Sequence, residues 1–364
     1  MNLASRADER ASSAPVLEIS DLHVEYGVGG NPVLAVRGVS LQVAKGEKVG
    51  VVGESGSGKT SLGMAVPRLL GGSGRITSGH ILIGGEDITG ASERAMARAR
   101  ARRVTVVFQD PLNALDPVRS IRSQVAETIR LRRPEAARVR GAKMRGLVAD
   151  LLEECEIRDP WQVMKQFPHE ISGGMRQRVM IAIALAGECD LLIADEPTTA
   201  LDVTTQAQIL RLLGRLVSER QVAVVLITHN LALVSGFCDR VVVMYGGRVI
   251  EEGPALEVVS SPSHPYTRGL ANSIPEIGHG RRRLPSIPGI PPDLRRSDGG
   301  CVFEPRCYLG HGNPTCITQL PPLAERDSVA GGRSVRCHLV GEDGTVTAPP
   351  SEALVAGQET LGGD

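Results

Sequence analysis

The sequence predicts an α/β fold: a parallel sheet covered on both faces and interrupted once by a helical insert. Three observations carry that reading. From Asp190 onward, short apolar runs (Leu191–Ala194, Val222–Ile227 and Arg240–Met244) alternate with helical segments, as strands buried on both faces do. Upstream, the apolar run Lys48–Val52 feeds a glycine turn and then a helix. Between about 110 and 180 the pattern is helical and contains no β-run.

In chain order, Val16–Ser20 opens a β-rich segment, and Ala35–Val43 alternates like a half-buried strand. Lys45-Gly46-Glu47 turns the chain into Lys48–Val52. Residues 61–70 are expected to form the helix after the glycine turn. His80–Ile83 then reads as an edge strand closed by Gly84-Gly85, and Val104–Phe108 as a buried strand. The basic stretches Arg94–Arg103 and Arg130–Arg145 read as solvated helix faces, with a surface for acidic lipid or a partner as the alternative. Beyond Gly253, Pro262, Pro265, Pro275, Pro285, Pro288, Pro291 and Pro292 punctuate a loop-rich segment. Segments 1–14 and 341–364 are expected to be disordered tails. There is no internal repeat.

Composition narrows the function classes. The 364 residues can bury a large core, and Lys+Arg and Asp+Glu both count 41, so no global basic field addresses nucleic acid. No stretch approaches the roughly 18–20 apolar residues that span a bilayer, and Met1 to Ala14 lacks an apolar signal segment. A soluble, cytoplasmic chain is expected. Of seven cysteines, Cys155, Cys189 and Cys238 stand singly in apolar or helical segments, where a free thiol acts as a small buried hydrophobe. Cys301, Cys307, Cys316 and Cys337 cluster in the last quarter, which in a cytosolic protein suggests a metal before disulfides.

The chemistry begins at Gly53-Glu54-Ser55-Gly56-Ser57-Gly58-Lys59-Thr60, which fits G-x-x-x-x-G-K-[ST] directly after a strand. Such glycines let successive backbone N–H groups hold phosphate oxygens at a helix N-terminus. Lys59 supplies a charge to the β/γ-phosphates, and the Thr60 hydroxyl can ligate Mg²⁺. Leu191–Glu196 is a buried strand ending in two acids. Asp195 can hold Mg²⁺ through water, and Glu196 can orient and deprotonate the attacking water. In Ile171–Arg178, Ser172 can open a helix whose Gly173-Gly174 bare the backbone to an anion. The chain has no second phosphate loop for that turn to serve, so its partner would be ATP on another cassette, in a head-to-tail dimer.

Phosphate loop, Ser-Gly-Gly turn and Asp-Glu strand, in this order, resemble an ABC-transporter ATPase over roughly residues 15–340. The resemblance implies a P-loop NTPase core with an antiparallel β subdomain, a helical signature subdomain over about 110–180, and a small loop-rich C-terminal cysteine domain. The cassette would span 15–262 and the extension 263–340. Gln109 matches the family's Q-loop, which senses Mg²⁺. Ala200-Leu201-Asp202 matches its D-loop, and His229 the switch histidine that reaches the γ-phosphate. Tyr26 sits where the family stacks an aromatic ring on adenine. With Ser61 closing the loop, the implied nucleotide set is Tyr26, Gly53, Glu54, Ser55, Gly56, Ser57, Gly58, Lys59, Thr60, Ser61, Gln109, Ser172, Gly173, Gly174 and Asp195. Of these, Thr60, Gln109 and Asp195 serve Mg²⁺. Glu196, His229, Gln109 and Lys59 form the implied catalytic group. Met175 and Asn230 depart from common family residues, where Gln and Asp are usual, without removing a catalytic group.

Pro168–Arg178, Thr198–Thr204 and His264-Pro265-Tyr266-Thr267-Arg268-Gly269-Leu270 resemble the D-type ATPases of oligopeptide, dipeptide and nickel permeases. That likeness implies a di/oligopeptide importer ATPase, with a nickel or other small-solute importer as the alternative and a soluble ATPase acting on nucleic acid or ribosomes as the rival. Implied partners are an F-type ATPase, two permease subunits and an external solute-binding protein, with the chain peripheral on the cytoplasmic membrane face. The spacing Cys301-x5-Cys307-x8-Cys316-x20-Cys337 lacks paired C-x2-C knuckles. As in C-terminal extensions of this group, the four thiolates are expected to hold a 4Fe–4S cluster, with zinc and unmetallated thiols as alternatives.

Overall fold

The computed structural model describes residues 14–27, 32–199, 201–273, 287–295, 299–328 and 331–345. Two sheets organise them. In the first, β1 (Leu17–Tyr26) pairs antiparallel with β2 (Val33–Val43) on one side and β4 (Arg75–Ile83) on the other; β4 also carries the two-residue β5 (Glu86–Asp87). The second sheet runs β11-β12-β10-β9-β3-β8-β7-β6. Its centre is parallel: β3 (Lys48–Val52), β6 (Val104–Val107), β7 (Leu191–Asp195), β8 (Ala223–Thr228) and β9 (Arg240–Tyr245). Their near-continuous apolar sequence follows from burial on both faces. Val49 and Val51 face a core shared with the antiparallel sheet, whereas Val52, Leu192 and Leu226 face a core shared with the helical insert.

At β9 the sheet turns antiparallel through β10 (Arg248–Pro254), then β12 (Arg333–Val335) and β11 (Ala324–Arg326). The loop-rich extension is therefore sewn into the cassette's own sheet. Glu251, fully buried on β10, makes the seam. Its carboxylate accepts from the backbone N–H groups of Ser263 and His264, both at 2.9 Å, and from Arg333 Nη2 at 2.7 Å. His264 in turn accepts the Tyr266 N–H on Nδ1 at 3.1 Å, capping the helix Pro265–Asn272.

Three expectations change. The helix after the glycine turn spans Lys59–Ala65 and stops there, because Pro67 has no N–H to continue it. The strand at His80–Ile83 begins at Arg75 and lies between β1 and β5, so it is not the sheet's edge. Several arginines of the basic stretches also turn inward rather than to solvent. Arg100 donates to Pro67 O at 3.1 Å, Arg103 to Ile83 O at 3.2 Å and Arg132 to Ala184 O at 3.1 Å, satisfying carbonyls at element ends. Of the expected disordered tails, 1–13 and 346–364 lie outside the described residues, as do Pro275, Pro285 and Ala200. Residues 341–345 form a turn to which Ser263 Oγ donates, at Gly344 O, 2.8 Å.

Candidate functional site

The site lies at the carboxyl ends of the parallel strands, where open α/β sheets bind ligands. β3 ends in the loop Gly53–Gly58, and Gly58 (φ +98°) opens the helix Lys59–Ala65. Glycine is dictated by space as well as conformation: a Cβ on Gly58 would lie 2.1 Å from Ala35 O, and one on Gly53 2.2 Å from Met244 O. Lys59 is held back over the loop, donating from Nζ to Glu54 O at 2.8 Å. Burial lowers its pKa, opposed by the nearby charges of Glu196, Asp195 and Glu54.

β7 and β8 supply the acids and the histidine. Thr60 Oγ1 donates to Asp195 Oδ1 at 3.1 Å. Burial raises the pKa of Asp195; the Thr60 hydrogen bond and Lys59 pull the other way, while Glu196 adds to the rise. Glu196 has φ +44°, a left-handed conformation unusual outside glycine, fixed by its N–H donating to Ile227 O at 2.9 Å. Its carboxylate collects three neighbours: Thr199 Oγ1 at 2.8 Å, Gln109 Nε2 at 3.3 Å and His229 Nδ1 at 3.2 Å. Glu196 is 15% exposed and His229 55% exposed, so the group faces an open space. A cavity of about 790 Å³ unites Tyr26, Gly53–Gly56, Gly58–Ser61, Gln109, Glu196 and His229, together with Val33, Ala35, Leu270 and Leu294.

This lining fits a nucleoside triphosphate with Mg²⁺. The loop residues Gly53–Gly56 and Gly58–Ser61 line the cavity with Lys59 among them, a cradle of backbone amides and one cation for phosphate oxygens. The paired Thr60 hydroxyl and Asp195 carboxylate are hard oxygen donors suited to Mg²⁺. Ser172 caps the helix Gly173–Ala184, accepting the Met175 N–H at 3.3 Å. Ser172, Gly173 and Gly174 are not among the residues that line the cavity.

The sequence pattern of the family described as ABC transporter matches residues 36–199, and that described as oligopeptide/dipeptide transporter, C-terminal region, matches 250–316. The chain is 48% identical over 295 residues to an Escherichia coli K12 protein named a probable D,D-dipeptide transport ATP-binding protein, covering 81% of this chain and 89% of that one. It belongs to the ABC transporter ATPases. A Sinorhizobium fredii protein named a probable peptide ABC transporter ATP-binding protein is 41% identical over 324 residues, 88% of this chain and 94% of that one. A dimeric ATP-binding cassette solved in a post-hydrolysis state with ADP and Pi superposes with a TM-score of 0.59. It is 26% identical and covers 66% of this chain and 98% of the other. As an ABC ATPase the chain binds and hydrolyses ATP, and among the described residues no helix is long and apolar enough to cross a membrane.

Sequence reasoning missed the contribution of the extension to this ATPase site. Tyr266 OH accepts the Glu54 N–H at 2.7 Å, and Arg306 binds the Glu54 carboxylate with both arms, at 2.8 and 3.2 Å. Leu270 and Leu294 also line the cavity. Tyr266 and Leu270 stood in a stretch readable only as a Pro-restricted turn into a helix.

Among the described residues no group of three or more His, Cys, Asp or Glu is arranged to hold a metal ion, so neither the expected 4Fe–4S cluster nor its zinc alternative at Cys301, Cys307, Cys316 and Cys337 finds support in the geometry. All four are free thiols, and each has a raised pKa through burial, to about 11 for Cys301 and about 12 for Cys337. They remain electrostatic neighbours of one another.

Proposed function

We propose that this chain is the energy-coupling ATPase of an importer for di- or oligopeptides. It would work with a second cassette, two permease subunits and an external solute-binding protein, on the cytoplasmic face of the membrane. The carrying observation is that the Ser172–Gly174 turn takes no part in lining the phosphate-loop cavity of its own chain. A site whose second wall lies on another copy closes only as a dimer, with nucleotide between the two. The names of the relatives and the match over 250–316 support the peptide class.

In this reading the Gly53–Gly58 amides, Lys59 and Ser61 hold the triphosphate, and Tyr26 stacks on the base. Thr60, Asp195 and Gln109 would hold Mg²⁺, which supplies charge compensation at the phosphates when bound. Glu196 takes a proton from the attacking water. Its oxygens are preset by Thr199, Gln109 and His229, which spares reorganisation as charge develops. His229, exposed beside Glu196, reaches the γ-phosphate. Glu196→Gln tests both assignments: the variant binds ATP, elutes as a dimer in its presence and turns over at least about 100-fold more slowly. Recovery of the chain with integral membrane subunits, and ATP-dependent uptake of a labelled dipeptide by the reconstituted assembly, test the transport reading; uptake of nickel alone would move it to the alternative.

We further propose that the four cysteines hold a 4Fe–4S cluster rather than a single ion. Their donor set is all thiol. A Cβ on Gly310 would lie 3.1 Å from Cys316 Sγ and 3.7 Å from Cys307 Sγ, so glycine keeps open the space between two sulfurs. Backbone N–H groups of Gly310 and Leu339 donate to Cys307 and Cys337 sulfurs at 3.2 and 3.4 Å, and hydrogen bonds to the sulfurs tune such clusters. Its role would be to staple a segment with little apolar core. Colourless, iron-free protein after anaerobic purification would reject it.

A further inference from the structure

Arg306 lies beside Cys307 in the extension, 252 residues from the phosphate loop, yet its guanidinium is only 6% exposed and spends its donors on that loop. Nη1 and Nη2 reach the two oxygens of Glu54 at 2.8 and 3.2 Å, a bidentate fork. Nη1 also meets Tyr245 OH at 3.1 Å, Nε donates to Pro288 O at 2.7 Å, and Nη2 to Ile287 O at 3.3 Å. Tyr266 OH holds the Glu54 backbone, so carboxylate and N–H of one loop residue are both gripped from the extension. Glu54 lines the nucleotide cavity and carries the loop's own negative charge.

We propose that Arg306 is a positioning residue for the phosphate loop: it neutralises Glu54 and turns its carboxylate aside, so that the loop accepts a triphosphate. A free carboxylate there would repel the phosphates, and its carbonyl, which holds Lys59, would lose its anchor. The fold of the cysteine-bearing segment and the affinity for ATP are then linked, because the same side chain serves both. The inference rests on the chain being an ATPase, and the two can fail separately.

Full-length wild type, Arg306→Met, Arg306→Lys and the double variant Arg306→Met/Glu54→Gln are compared in steady-state ATPase titrations with MgATP. Arg306→Met should raise KM about tenfold with kcat within about twofold, because it strips charge compensation from binding rather than from the chemical step. Arg306→Lys, a point charge without the fork, should raise KM about threefold. In the double variant KM should fall at least about threefold below that of Arg306→Met, since with both charges removed neither is left without its counter-charge. An unchanged KM in Arg306→Met, a loss confined to kcat, or a double variant as weak as the single one would overturn the proposal. Should Arg306→Met fail to fold, Glu54→Gln and the double variant carry the test. Similar KM values for those two support the proposal, and a tenfold gap rejects it. Wild type that bound no MgATP would instead fail the ATPase assignment.

Discussion

Among the described residues, the glutamate–histidine sets at Glu196 and at Glu251 have surroundings of opposite character. At the cavity mouth, Glu196 meets His229 at 3.2 Å on strand ends, with the histidine more than half exposed. At the seam of the extension, Glu251 and His264 are 0% and 1% exposed. Both Glu251 oxygens are taken, by two backbone N–H groups and Arg333. Each carboxylate has three partners, so exposure rather than partner count separates them: Glu196 still reaches solvent, whereas Glu251 is sealed. The same side chains thus serve chemistry or cohesion according to whether the fold leaves them open to an incoming water.

The comparison can be broken by exchange of function for stability. Glu196→Gln should show the largest effect, turnover falling by about 10²–10⁴-fold with the melting temperature within about 2 °C, measured by phosphate release and calorimetry. His229→Ala should lower turnover by about 10²-fold, again with little change in melting. Glu251→Gln should do the reverse. It leaves Arg333 buried without its counter-charge and costs about 3–5 kcal/mol in denaturant unfolding, while molecules that remain folded keep their kcat. A Glu251→Gln protein as stable as wild type would dissolve the distinction.

The smallest effect sharpens it through pH. Burial holds the His264 pKa down to about 3, below its ordinary 6.5, so the folded chain keeps this ring neutral while the unfolded chain protonates it. Its contribution is complete above about pH 6.5 and is lost as pH falls toward 3, by about 1.4 kcal/mol per pH unit across that window. His264→Asn, which retains an acceptor for the Tyr266 N–H, should flatten the slope of stability between pH 6.5 and 5. An equal slope in both proteins would place the titration elsewhere.

What was legible in the sequence was whatever is set by neighbours along the chain. The phosphate loop, the Asp195-Glu196 strand tip and the Ser172 cap announce themselves because glycine geometry, strand burial and capping act within a few residues. The end of the helix at Ala65 is equally local, written in Pro67 two residues on. Arg306 and Glu54 lie on segments with no shared periodicity, and an arginine among prolines gives no sign of the carboxylate it will meet. Likewise β12 is a three-residue strand, Arg333–Val335, too short to alternate visibly. Its one sign is Glu251, one of two adjacent acids in the strand Arg248–Pro254, whose complete burial obliges it to find a cation.

That late strand has a bearing on synthesis. β10 leaves the ribosome with one side unpaired, and its partner β12 follows roughly 80 residues later, about 4–16 s at ordinary elongation rates. During that interval the nascent polypeptide offers an open hydrogen-bonding row next to the newborn central strands. A pause in translation or a premature stop anywhere past β10 would prolong that vulnerable stage, when the molecule is most exposed to chaperone capture or to pairing with a sibling chain.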